Sequence, residues 1–280
     1  MAWLAMSSAA IVIVFAAPVP PLVIGMARLG ITTLACALLA SRVLGQTWQA
    51  LRADRGAARL WLLSGALLAA HFAMWITSLS LTSVVHATVL VALQPLFAGL
   101  FGRMLGDRAS WRLYAGIVVA LLGTWLLTRS ADGADATLVG DALAVLAAAA
   151  SAAYLIAGRR VGKRVPLTGW LTGVNGLAFL LLAAAALIFE PDWDPASLSG
   201  ADGLAILWLG LVPGLVGHGL MNWTARHLPV HTVSLAVLLE PVGATLLALA
   251  FLDQSVAPIE VAGGAVLVFG AWLANASGNE

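Results

Sequence analysis

Apolar residues in this chain run in long blocks, broken by charges, prolines and glycines. The blocks predict helices near 3–17, 22–43, 60–80, 84–104, 111–128, 139–157, 167–189, 203–224, 231–252 and 256–275. Most are about 20 residues long, the length that carries a helix across the roughly 30 Å hydrocarbon core of a bilayer. The pattern predicts an all-α membrane protein of about ten transmembrane helices. The first block is as hydrophobic as a signal peptide, but it has no charged leading region and further spans follow at once, so it reads as helix one. At 1.5 Å per residue it reaches only about 25 Å, which leaves room for a longer natural start.

Composition removes the space for a soluble domain. Of 280 residues, 61% are hydrophobic and 10% charged, where a soluble domain has about 25% charged. Any function must therefore lie inside the bundle. The net charge is +1 and no basic block stands outside the short loops, so nothing marks a nucleic-acid partner. Cys36, in an apolar run, reads as a small packing residue. As the single cysteine it supports neither an internal disulfide nor a cysteine metal cluster.

Charge then orients the spans. Arg42, Arg52, Arg55 and Arg59 share one connection; Arg103, Arg108 and Arg112 share the next of the same parity; Arg159, Arg160, Lys163 and Arg164, and finally Arg226, follow. The opposite connections hold Asp132, Asp135 and Asp141, then Glu190, Asp192, Asp194 and Asp202, then Asp253 and Glu260, with Arg129 the one base. The positive-inside rule places both termini in the cytoplasm, and helical rather than barrel spans predict a cell's inner, or plasma, membrane. Trp61, Trp111, Trp125, Trp170, Trp208 and Trp272 fall at predicted helix ends, as interfacial anchors do.

The chain also repeats itself. Residues 94–107, QPLFAGLFGRMLGD, align without a gap to EPVGATLLALAFLD at 240–253, and one inserted residue later Gly123 falls on Gly270 and Trp125 on Trp272. Helices four and five thus correspond to nine and ten. Five helices per half is an odd number, so the second half inserts upside down relative to the first. The predicted units are residues 1–130 and 138–276, two inverted five-helix repeats.

The Arg28-Leu29 pair in helix two, the Leu-Gln-Pro and Leu-Glu-Pro turns before Asp107 and Asp253, and Gly140-Asp141 opening helix six resemble the EamA family of the drug/metabolite transporter superfamily. The resemblance covers the chain in two copies. It implies a ten-helix exporter of amino acids and other metabolites, and the outward direction comes from the resemblance alone. Two features depart from the family pattern: aspartate stands at 107 and 253 where glutamate is usual, and the Trp-Gly near the start of helix one is missing.

Two fully charged residues fall deep in predicted spans, Arg28 and Glu240. Each costs at least about 2.5 kcal/mol to bury, so each calls for a partner or a wet cavity. Glu240 suits a substrate amine or a proton, and Arg28 a carboxylate. The structural alternatives are a Glu240 that caps backbone groups freed by Pro241 and an Arg28 that snorkels or cross-links helices. Gln94 is the repeat partner of Glu240 and hydrogen-bonds without titrating, which confines carboxylate chemistry to the second half. Pro95 and Pro241 each delete a helical hydrogen bond at matching depth and mark paired kinks, mobile or fixed.

His71 and Trp75 lie one turn apart on helix three beside Phe72, and His218, Asn222 and Trp223 lie on helix eight. These are candidate cavity walls or ordinary interhelical packing. Pro213, Gly214 and Gly217 make helix eight a candidate hinge, although small residues also simply allow close helix contact. His86 and His231 sit near span ends and His227 in a loop, with no metal spacing. No phosphate loop and no nucleophile arrangement is present, so neither a cofactor, nor a metal, nor catalysis is expected.

The expected activity is secondary transport of a small-molecule substrate across the lipid bilayer by alternating access around a midplane cavity, with protons as a candidate coupling ion and a monomer or weak homodimer as the working unit. The competing readings are a multidrug or organic-cation exporter and, from another class, an intramembrane enzyme or lipid-binding scaffold.

Overall fold

A computed structural model describes residues 2–105, 111–128, 137–227, 240–252 and 256–275, and these form helices without a strand. In chain order the helices are α1 (Ala2–Phe15), α2 (Pro21–Ala40), α3 (Leu44–Ala53), α4 (Arg55–Leu79), α5 (Val84–Val91), α6 (Gln94–Met104), α7 (Trp111–Thr128) and α8 (Leu138–Val161). They continue with α9 (Leu167–Phe189), α10 (Gly200–Leu209), a π segment (Gly210–His218), α11 (Gly219–His227), α12 (Glu240–Phe251) and α13 (Pro258–Asn275). Six stretches are long and apolar enough to cross a membrane: Pro21–Ala40, Arg55–Leu79, Val84–Met104, Leu138–Val161, Leu167–Phe189 and Gly200–His227. Four shorter apolar helices accompany them, Ala2–Phe15, Trp111–Leu126, Glu240–Phe251 and Pro258–Ala274. Asp107, Arg129, His231 and Asp253 lie outside the described residues.

Three local features differ from the sequence expectation, each for a physical reason. The connection predicted between 43 and 60 contains α3, which buries Thr47 and Leu51 and stacks Arg52 over Trp48 at 4.8 Å. The span predicted over 84–104 breaks at Ala92 and Leu93. Pro95 has no N–H to give to Val91, and the chain tightens instead, with Leu93 N–H bonding Leu90 O at 3.1 Å. In the predicted helix eight, Pro213 sits inside the π segment. Widening the helix to an i→i+5 pattern accommodates a proline ring that would otherwise strike the preceding turn.

Packing follows small residues. A Cβ added at Gly116 or Gly123 of α7 would run into the backbone of α13, and one at Gly270 of α13 into the backbone of α7 at Ala120. These helices touch backbone to backbone, which is how association is driven where lipid is as apolar as the side chains. Exchanging each residue with its counterpart 147 positions away turns the Gly123 contact with Leu267 into the Gly270 contact with Ala120. The other close partners, α4 with α8 and α2 with α9, also join the first half of the chain to the second.

The charged connections collect at two ends. At the basic end Arg164 Nη1 donates to Asp54 Oδ2 at 2.7 Å, and Arg226 Nη1 donates to Val165 O at 2.9 Å. Asp54 also caps α4 by accepting from Ala57 N–H, which holds its carboxyl below the usual carboxylate range, with Arg164 adding to the effect. At the acidic end Glu190 accepts from the N–H groups of Leu22 and Val23, both at 3.1 Å, and so caps α2 from the far end of α9. Thr137 caps α8 and bonds Leu81 O through both its N–H and its hydroxyl.

Candidate functional site

Two irregular points of the helices border one cavity. Its lining includes Ala92 at the α5–α6 break and Pro213 in the π segment, together with Pro241 of α12. Non-helical backbone is tolerated at membrane depth only where it is covered by protein or lines a polar cavity. Met6 and Ala9 of α1, Arg28 of α2, His71 and Trp75 of α4, Thr88 and Val91 of α5, Gln94 of α6, Ser151, Tyr154 and Leu155 of α8, and Glu240 complete the wall with His218 and Met221. The cavity volume is about 30 Å³, enough for about two water molecules.

Arg28 dominates the site. It is 1% exposed, and its guanidinium carbon lies 4.3 Å from the centroid of the Phe72 ring. Stacking attracts the charge but occupies none of its five N–H groups. Nε, Nη1 and Nη2 find no hydrogen-bond partner among the described residues. Glu240 of α12 lines the same cavity and is buried, and its carbonyl accepts from Ser7 Oγ at 3.1 Å. A guanidinium and a carboxyl group thus share a desolvated chamber, and Arg28 donates no hydrogen bond to Glu240.

The other walls are aromatic and amphipathic. His71 stacks on Trp75, with ring centroids 6.2 Å apart and planes 4° from parallel. His71 Nδ1 donates to Ala147 O at 2.9 Å, and its ring lies 6.4 Å from that of His218. Gln94 Oε1 accepts from Ser151 Oγ at 3.1 Å. Asn222 stands behind the wall: its Oδ1 accepts from Tyr154 OH at 2.9 Å while its Nδ2 donates to His218 O. Gly214 sits against Thr32, whose hydroxyl donates to Gly210 O, and Gly217 sits against Met6. Pro95 follows Gln94 in the first turn of α6, buried but outside the cavity lining.

The structure therefore brings Arg28, His71, Trp75, Gln94, His218, Glu240, Pro213 and Pro241 around one space, with Asn222 one contact away. Ser151, Tyr154, Thr88, Met6 and Met221 were not singled out in the sequence. Ser151 and Tyr154 are three apart on α8 and share a face, a signal that an alanine-rich apolar helix hides.

Fold and cavity define a helical membrane protein with its polar groups turned inward, as in a transporter. The chain belongs to the EamA-like transporter family, whose model matches residues 1–129 and again 138–276. It is 27% identical over 198 residues to a probable terminal-alkyne amino-acid exporter of Streptantibioticus cattleyicolor, a match covering 68% of this chain and 63% of that one. It is 25% identical over 199 residues to the uncharacterised transporter YcxC of Bacillus subtilis, covering 66% and 62%. The matched stretches thus span under two thirds of either relative. A solved crystal structure shares the fold with a TM-score of 0.72 at 24% identity, over 99% of this chain and 94% of that one.

Proposed function

We propose that this chain is a secondary transporter that exports small metabolites, amino acids first among them, by alternating access between two inverted five-helix repeats in the inner membrane. The observation that carries the reading is Arg28, a buried guanidinium without a hydrogen-bond partner among the described residues, in one chamber with Glu240. A zwitterion answers both charges, its carboxylate on Arg28 and its ammonium on Glu240. The relative named as an amino-acid exporter supports the same class. A lipophilic cation would find Glu240 and the His71–Trp75 wall but would also meet Arg28, which argues against the multidrug reading.

The inverted repeat is supported by the two-copy family match and by contacts between α7 and α13 that survive exchange of the halves. The four shorter apolar helices that accompany the six long ones support a count of ten spans. Clustering of the basic connections at one end supports cytoplasmic termini. Protons are candidate coupling ions at Glu240, whose carboxyl lines the cavity.

Counterflow in proteoliposomes preloaded with a panel of amino acids tests the function, with Arg28→Ala and Glu240→Gln alongside. Uptake of particular amino acids, lost in either variant, supports class and site together. Uptake that both variants retain removes the site, and an empty panel removes the substrate class. Flux that ignores an imposed pH gradient and survives Glu240→Gln removes proton coupling.

A further inference from the structure

We propose that His86, Asp141 and Glu260 form a proton-binding latch that holds the acidic end of the bundle closed. His86 is 1% exposed in the first turn of α5, in the first half of the chain. Its Nδ1 stands 3.2 Å from both carboxylate oxygens of Asp141 on α8, and its Nε2 stands 3.3 Å from Oε1 of Glu260 on α13. Both of those helices belong to the second half. One imidazole therefore joins three helices across the boundary between the halves.

Hydrogen-bond arithmetic fixes the protonation that this bridge needs. Asp141 Oδ1 also accepts from the Thr82 hydroxyl at 2.8 Å, and Glu260 Oε2 accepts from Ala257 N–H at 2.8 Å. Both carboxylates are thus serving as acceptors. A neutral imidazole has one N–H and satisfies one of them, whereas the imidazolium donates from both nitrogens. Loss of the second proton leaves a ring lone pair facing a carboxylate in a water-poor site, a repulsive contact that separation relieves. The N-terminal turn of α5 also disfavours positive charge. The two carboxylates are what hold the second proton. Among the described residues they are the charged groups facing His86; Arg129, Asp132, Asp135 and Asp253 belong to adjoining connections outside the described residues.

Gly140 explains how the parts meet. A Cβ there would come within 2.9 Å of the Leu81 carbonyl carbon and of Thr82 Cβ, so glycine lets α8 press against the α4–α5 turn and brings Asp141 to Thr82 and His86. With the acidic end outside, the ligand is an external proton. Acid outside favours the closed arrangement, and each pH unit shifts the closed-to-open ratio by up to about tenfold. The inference rests on the proposal that the halves move against each other in transport.

The test places nitroxide labels at Ser80→Cys and Ile259→Cys, exposed positions beside the latch on opposite halves, in a Cys36→Ala background in lipid nanodiscs. The interspin distance is then read by electron paramagnetic resonance from pH 5.5 to 8.5. The wild-type latch is expected to give one short distance in acid and to gain a longer population along a one-proton titration. His86→Leu is expected to show the longer population throughout. Glu260→Gln is expected to stay short throughout, because its amide donates to a neutral Nε2 and the second proton is no longer needed. A wild-type distance indifferent to pH overturns the proposal, as does a pH response that persists in both variants. Amino-acid counterflow at fixed pH reports separately on the transport reading, so a failure there with an intact distance response leaves the latch standing.

Discussion

Arg28 is where the cost of burial and the prospect of binding coincide. Its ring contact with Phe72 offsets part of the desolvation, and its N–H groups have no hydrogen-bond partner among the described residues, which under the proposed function leaves them to a substrate carboxylate. A charge-assisted bond to a carboxylate contributes about 1.5–3 kcal/mol. Arg28→Gln is therefore expected to weaken zwitterion counterflow by about 10- to 100-fold, read as a rise in half-saturating substrate. Arg28→Lys should recover little, because an ammonium presents neither the fork nor the stacking plane. Both charged residues were legible in the sequence, since a charge in an apolar run is rare enough to notice. The uncharged wall was legible only in part: His71, Trp75, Gln94 and His218 stand out by type, whereas Thr88, Ser151 and Met221 are ordinary residues in ordinary helices. His86 was also hidden: its carboxylate partners lie 55 and 174 residues away, so no local spacing announces them.

Helices in this protein are separated by what glycine allows. In α7, a side chain at Gly123 has only the backbone of α13 to enter, and backbone does not yield. Gly123→Val is expected to force the two helices apart and lower the unfolding temperature sharply in detergent. Gly203 of α10 has nothing within 4 Å of a built Cβ, so Gly203→Ala should instead stabilise by about 0.4–1 kcal/mol. The same thermal assay reads both signs. Asp54 adds a pH-dependent contribution at the start of α4. Its carboxyl is depressed in the fold, first by the Ala57 N–H and then by Arg164, so its stabilisation is complete above the ordinary aspartate range near about 4 and fades as pH falls through the lower folded value. Asp54→Asn should cost stability at pH 7 and progressively less as pH falls below the ordinary aspartate range. The apolar blocks placed most of these helices but showed neither the Ala92–Leu93 break nor the π segment. A prolyl residue in a span is visible; whether the chain answers it with a turn or a wider helix depends on neighbours such as Thr32, which bonds Gly210 O.

At the scale of the whole molecule, both ends are fastened in this structure and the chamber between them is too small for an amino acid. Arg164 with Asp54 pins the basic end, and the His86 cluster with Glu190 pins the acidic end. A transporter of the proposed kind must release these ends in turn, whereas a scaffold or an intramembrane enzyme need release neither. The sequence repeat already implied two comparable halves, but helix contacts between halves are long-range and no periodicity within a span reveals them. Fastening the basic end permanently separates the readings. Asp54 and Arg164 are both solvent-accessible, with side chains 37% and 57% exposed, so cysteines at these positions in a Cys36→Ala background accept a cleavable bifunctional maleimide. Cross-linking is expected to reduce amino-acid counterflow to the level of empty liposomes, and cleavage to restore it. Counterflow that persists through complete cross-linking would mean that substrate passes without separation of the basic end, and the alternating movement of the two halves would have to be abandoned.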